Sequence, residues 1–348
     1  MRLKEIIANQ GGKASSRQIK LSRFHQVLRA RTGKLAASIE RVIKFEIVPF
    51  LKKGEIMEEI CSSVWHANGN QPGYHVVILG GVHGDEKTGI EVIKDLQGIF
   101  ETGDMRIEKG KLTLILGNEE AIRISKRGTT EEHNLNRMFS DSHLAGPVLD
   151  FYESRRAHEL APILRSADIS LDIHSTSVPT QPFLPCAYSP RHEKVYRWFD
   201  AKIVLADPDF ILGGQRSTTD EYVDYCGGIG ICFETGFASD TSRLPAVTKG
   251  VLDIMADQGL LGSNRAANPP KPNYKVYRLN KKIKLIKSGF RYAKGLPESF
   301  QEVSKDEIIG YHGDIPEVAE MDGVIAFPRA RDQWILGHDI FFLAQRIK

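Results

Sequence analysis

The sequence predicts an α/β fold: a mostly parallel, mixed sheet with helices on both faces, followed by a small C-terminal β-domain. Three observations predict it. Between residues 54 and 261 the strand-like runs are apolar almost throughout rather than alternating, as expected of strands covered on both faces. Stretches with helical periodicity separate those runs, the pattern of a crossover-connected sheet. A polar stretch with three prolines at 262–273 then breaks the alternation, and short strand-like runs with turn signals follow it.

Taken in order, residues 1–53 come first. They carry 13 Lys/Arg and three Glu, a charge of +10, whereas the whole 348-residue chain sums to +3. The remainder is therefore −7 (+3 − 10), and the basic excess belongs to this extension. Ser15 and Ser16 are placed to cap a helix carrying Leu21, Phe24, Val27 and Leu28 on one face. The segment has no apolar h-region or small-residue cleavage site, so a secretory signal is not expected. Its Arg-rich, acid-poor composition also fits an organelle transit peptide, and organelle targeting stays open beside a cytoplasmic location. The plain reading is a solvated basic helix docked on the domain or on a second subunit; a tether to an acidic partner or membrane surface would add to an enzymatic role rather than displace it. No interleaved aromatic pattern supports nucleic-acid binding.

The catalytic segment is expected over 54–261. Tyr74–Gly81 and Lys111–Leu116 read as strands, as do Ile169–His174 and Ile229–Phe233. Lys87–Phe100 reads as a helix, with Ile90, Ile93, Leu96 and Ile99 recurring every third residue and Val92 beside them. The polar stretch 262–273 is a linker, and 274–348 the β-domain. Its runs are Tyr274–Leu279, Lys282–Ile286, Gly323–Phe327 and Ile340–Ala344, with a tight turn at Asp322-Gly323. No apolar run approaches the ~18 residues of a membrane span. Four scattered cysteines without a C-x-x-C pair read as reduced thiols.

Four clusters carry chemistry, three of them at or just after a strand end, where open parallel sheets bind ligands. In Gly80-Gly81-Val82-His83-Gly84-Asp85-Glu86, His83 and Glu86 lie three apart at a strand-to-helix turn, and imidazole with carboxylate suits Zn²⁺. A turn histidine beside a helix-start glutamate explains that cluster alone just as well. Asp172 and His174 share a strand face, His174 as a third metal ligand and Asp172 as its support or a satisfied buried acid. Asn134-Leu135-Asn136-Arg137, preceded by Arg127, suits carboxylate capture; a solvated polar loop is the plain alternative. Glu234 closes an apolar strand, where a carboxylate is costly without a partner or a purpose such as general base.

Together these motifs resemble the succinylglutamate desuccinylase/aspartoacylase family, relatives of the zinc carboxypeptidases. The resemblance covers roughly 74–240, with a fainter echo at Met321–Pro328. The family's His-Gly-x-Glu is matched by His83-Gly84-Asp85-Glu86 and its Asp-Leu-Asn-Arg by Asn134-Leu135-Asn136-Arg137. Its Asp-Leu-His is matched by Asp172-Ile173-His174 and its Glu-x-Gly by Glu234-Thr235-Gly236. The resemblance implies a zinc-carboxypeptidase-like fold and one Zn²⁺ per chain held by His83, Glu86 and His174. It further implies Glu234 as the base that activates water, Arg127 at the oxyanion, and Asn136 with Arg137 on a substrate carboxylate. Arg123, four residues before Arg127, competes for the oxyanion role. Asn134 departs from the family's Asp and removes a charge near the clamp. The activity implied is hydrolysis of the amide bond of a small N-acyl amino acid. A carboxypeptidase acting on peptide C-termini and a non-catalytic binding protein on the same fold are the rival readings. Neither nucleic acid nor a membrane span is expected, and a homo-oligomer is compatible with the sequence.

Overall fold

The structure, a computed structural model, describes residues 57–103, 105–262, 269–271 and 273–348. The basic extension expected at 1–53 lies outside the described residues, as do 263–268 and 272 of the linker. The described chain opens with β1 (Glu58–Cys61), β2 (Val64–Asn68) and β3 (Gln71–Gly80), then α1 (Lys87–Glu101) and β4 (Lys109–Leu116). Helices α2 (Glu119–Ile124), α3 (Asp141–Leu144) and α4 (Tyr152–Arg165) precede β5 (Ile169–Thr176). Then come α5 (Pro190–Tyr196), β6 (Ile203–Ala206), α6 (Thr219–Tyr225), β7 (Ile229–Phe237) and α7 (Leu244–Asp257).

The central sheet has the order β1-β2-β4-β3-β5-β7. β3 pairs in parallel with β4 and β5, and β5 with β7; β1 and β2 form an antiparallel flank. The apolar run of β3 shows why its sequence does not alternate. Val76 and Ile78 point to one face and meet Ile93, Leu96, Val251 and Met255 of α1 and α7. Val77 and Leu79 point to the other and meet Leu160, Leu164 and Val223 of α4 and α6. Both faces are covered there, so Val76–Leu79 is apolar throughout. On α1 the expected face is buried at Ile90, Val92, Ile93 and Leu96, while Ile99 is only partly covered.

The C-terminal region contains β8 (Lys275–Lys284), β9 (Phe290–Tyr292), β10 (Gln301–Val303) and β11 (Ile308–His312). It ends with β12 (Ile315–Val318), β13 (Gly323–Ala326) and β14 (Asp339–Arg346). They form sheets ordered β10-β13-β14-β8-β6 and β12-β11-β9. β6, from within the segment 54–261, pairs in parallel with β8, so one sheet joins both regions. The two runs read at Tyr274–Leu279 and Lys282–Ile286 are one strand. Its register slips at Asn280, whose side chain accepts from Gln345 N at 3.0 Å. Asp322-Gly323 is a bend entering β13, not a hairpin turn. The two-residue hairpin falls at Gly313-Asp314, where Gly313 has φ +68°.

Candidate metal centre and active site

His83 and Glu86 sit where β3 turns into α1. Gly81 takes φ +68° there, and Gly84 lies so close to α2 that a Cβ would come within 2.0 Å of the Ala121 carbonyl carbon. Only glycine fits both demands. His174 comes from β5 and stands beside Glu234 of β7 in the ladder register, just as Asp172 stands beside Cys232.

The Glu86 carboxylate bridges the two imidazoles. Its Oε1 is 2.7 Å from His83 Nδ1, and its Oε2 is 2.9 Å from His174 Nδ1 and accepts from Ser175 N at 2.9 Å. One ligand atom from each of the three buried residues lies within 4.8 Å of the others. Each imidazole is held from behind. His83 Nε2 is 3.0 Å from Asn134 Oδ1, and His174 Nε2 is 3.0 Å from Asp172 Oδ2. Two imidazole nitrogens and a carboxylate, with the far nitrogens oriented by oxygen acceptors, are a donor set that fits zinc.

Burial, then the Arg127 charge, lowers His83 to about 4, so its imidazole is neutral and able to coordinate. Burial works against ionised Glu86, but His83 and His174 outweigh it and hold the carboxyl well below its usual value. For His174 burial is likewise outweighed, here by Asp172 and Glu86, and the imidazole is raised well above its usual value. Coordination at Nδ1 requires His174 to release that proton. Burial, then Glu86, pushes Glu234 up to about 8, and its buried Oε2 has no partner among the described residues.

These groups share a cavity of about 630 Å³ whose lining includes His83, His174, Glu234, Arg127, Asn136 and Arg137. Arg127 Nη1 reaches Glu86 Oε1 at 3.3 Å. Arg123 is not among the lining residues, which separates the two candidates. Arg137 donates to the Asn136 carbonyl at 2.7 Å and makes no ion pair among the described residues. Asn136 also acts as a strut: its Oδ1 accepts from Thr219 N at 3.0 Å, leaving Nδ2, 3.5 Å from His174 Nε2, on the site. Arg216 reaches the cavity as well, but it pairs with Asp141 and lies 3.4 Å from the Tyr225 ring centroid. Sequence reading missed the walls, among them Phe327, Arg329 and Asp220. The only local signal at Asp220 is the capping box of Thr218 and Glu221 around it, which reads as a helix start.

Residues 72–249, half of the chain, match the family model for the succinylglutamate desuccinylase/aspartoacylase catalytic domain. The chain belongs to this family. Its members are deacylating hydrolases, and this chain is an enzyme of that kind. The succinylglutamate desuccinylase of Paraburkholderia xenovorans is 26% identical over 280 residues, 73% of this chain and 77% of that protein. A probable aspartoacylase of Nostoc sp. is 35% identical over 107 residues, 29% of this chain and only 35% of that protein. The solved succinylglutamate desuccinylase of Vibrio parahaemolyticus superposes with a TM-score of 0.68 at 19% identity, over 86% of this chain and 90% of that one. At that identity the likeness speaks for the fold.

Proposed function

We propose that this member of the family hydrolyses the amide bond of a small N-acyl amino acid, with one Zn²⁺ held by His83, Glu86 and His174. The observation that carries the reading is the convergence of three buried ligand atoms within 4.8 Å, two of them from His83 and His174 on the wall of the cavity that Glu234 also lines, with its Oε2 unpartnered among the described residues. A divalent ion held there supplies Lewis acidity and makes water acidic enough to ionise near neutral pH. Glu234 takes the proton from water and returns it to the departing nitrogen. Arg127 offers its guanidinium to the oxygen that gains charge. Arg137, half-buried and without an ion pair among the described residues, and Asn136 Nδ2 hold the substrate carboxylate and so fix the amide against Glu234.

We assign the chemistry to 54–261 and a wall of the cavity to 274–348, which is supported by Phe327, Arg329 and Phe342 among the lining residues. Such a wall favours small acyl amino acids over peptide chains. No helix among the described residues is long and apolar enough to cross a membrane. Four free thiols support a reducing, cytoplasmic setting.

The test is release of free amine from a panel of N-acyl amino acids and from C-terminal dipeptides. Hydrolysis of the acyl amino acids, lost on chelation and restored by zinc, is expected. Cleavage of the peptides alone would replace this reading with the carboxypeptidase one.

A further inference from the structure

One carboxyl group in the cavity has no part in the chemistry above. Asp220, in the first turn of α6, is 6% exposed and lines the cavity. The Thr218 hydroxyl donates to its Oδ1 at 2.7 Å; Oδ2 has no partner among the described residues. Burial, then Glu221, raises this carboxyl to about 8. The other charges acting on it, Asp172 and Asp224, are acidic too. All three of those neighbours are committed. Glu221 accepts from Ser217 N and Thr218 N, Asp172 holds His174, and Asp224 holds His192 and Gly230 N. Of the arginines that line the cavity, Arg127 pairs with Glu86, Arg216 with Asp141, Arg278 with Asp209 and Arg329 with Asp339, while Arg137 is the one assigned to the substrate carboxylate; none pairs with Asp220 among the described residues. A buried carboxyl with acidic neighbours and no ion pair is costly to ionise unless a ligand brings the missing charge.

Its place in the fold says which part of a substrate it meets. α6 rests directly on β7, where a Cβ at Gly230 would fall 2.0 Å from the Asp220 carbonyl oxygen. Further along β7, Cys232 and Glu234 line the same cavity on one strand face. Beside Asp220, Thr219 N is held by Asn136, the neighbour of Arg137. Asp220 therefore stands on the side of the carboxylate clamp. That is the side of the amino acid to be released, whose side chain leaves the same carbon as the clamped carboxylate.

We propose that Asp220 recognises a cationic side chain on the released amino acid, so that the preferred substrates are Nα-acyl derivatives of basic amino acids. The inference rests on the deacylase reading above. An ammonium or guanidinium group at Asp220 supplies the counter-charge the site lacks. An acidic side chain would add a negative charge beside Asp220, Asp172 and Asp224.

The experiment measures kcat and KM of the full-length, zinc-loaded protein on Nα-acetyl-lysine, Nα-acetyl-ornithine, the neutral Nα-acetyl-norleucine, Nα-acetyl-glutamate and Nα-succinyl-glutamate. Expected is a preference of about 30-fold or more in kcat/KM for the basic derivatives over norleucine, as a desolvated charge pair gives. In Asp220→Asn that preference should vanish, chiefly through KM. Calorimetric binding of free lysine, norleucine and glutamate to the wild type needs no variant to fold, and lysine should bind at least about tenfold tighter. If the glutamate or norleucine derivatives are hydrolysed best, or lysine binds no better than norleucine, Asp220 has no such role and the deacylase reading stands. If no derivative is hydrolysed, both fall.

Discussion

Asn134 Oδ1 lies 3.0 Å from Nε2 of the His83 imidazole. The same oxygen accepts from Asn136 N at 2.9 Å, so His83 Nε2 is the donor and Nδ1 is left free toward Glu86. One amide thus sets the tautomer of a candidate metal ligand and caps the turn that carries Asn136 and Arg137. Asn134→Leu is expected to weaken Zn²⁺ binding roughly 10–100-fold, as loss of such a support does. Competition with a chromogenic chelator measures it; an unchanged Kd would show that the contact orients nothing.

Glu234→Gln should keep the metal and lose turnover by about 10²–10⁴, because an amide cannot shuttle the proton. Metal content and kcat measured on one preparation separate the two effects. Wild-type kcat in the variant would remove Glu234 from the mechanism.

Arg137→Ala should raise KM for a carboxylate-bearing substrate about 100-fold with a smaller effect on kcat, since the guanidinium has no other ion-pair partner to lose among the described residues. Steady-state kinetics on an acyl amino acid and on its uncharged amide give the contrast. An equal loss on both substrates would contradict a carboxylate contact.

Stability of the metal-free protein should fall with rising pH. The Glu234 carboxyl titrates near 4.5 when free and near 8 in the fold. Between those values the folded chain keeps a proton that the unfolded chain has released. The unfolded state then binds fewer protons, and stability declines as pH rises across that window. Asp220, also raised to about 8, acts in the same direction. Calorimetric melting with chelator present, from pH 5 to 8.5, should show a steeper fall in Tm for wild type than for Glu234→Gln. Parallel slopes would count against the buried, uncompensated carboxyl.

Much of this was legible in the sequence because local signals and tertiary demand agree. From Val76 to Leu79 β3 is apolar at every position because α1 and α7 cover one face and α4 and α6 the other. His83, Glu86 and His174 stand at strand ends, where a parallel sheet concentrates its ligands. Other features were not legible. The pairing of β6 with β8 unites segments about 70 residues apart through a four-residue strand with no pattern of its own. The slip at Asn280 divides one strand into two apparent runs. Asp220 sits inside a capping box and looks like a helix start, because only the fold shows that its carboxyl lines the cavity without an ion pair among the described residues.

The central claim is that motifs 88 residues apart, Glu86 and His174, join in one metal site. Elemental mass spectrometry of wild type beside His174→Ala, both shown folded by circular dichroism, tests it most directly. The account predicts about one zinc per wild-type chain and essentially none in the variant. A wild-type chain that carries no metal and takes up none when zinc is added would contradict it.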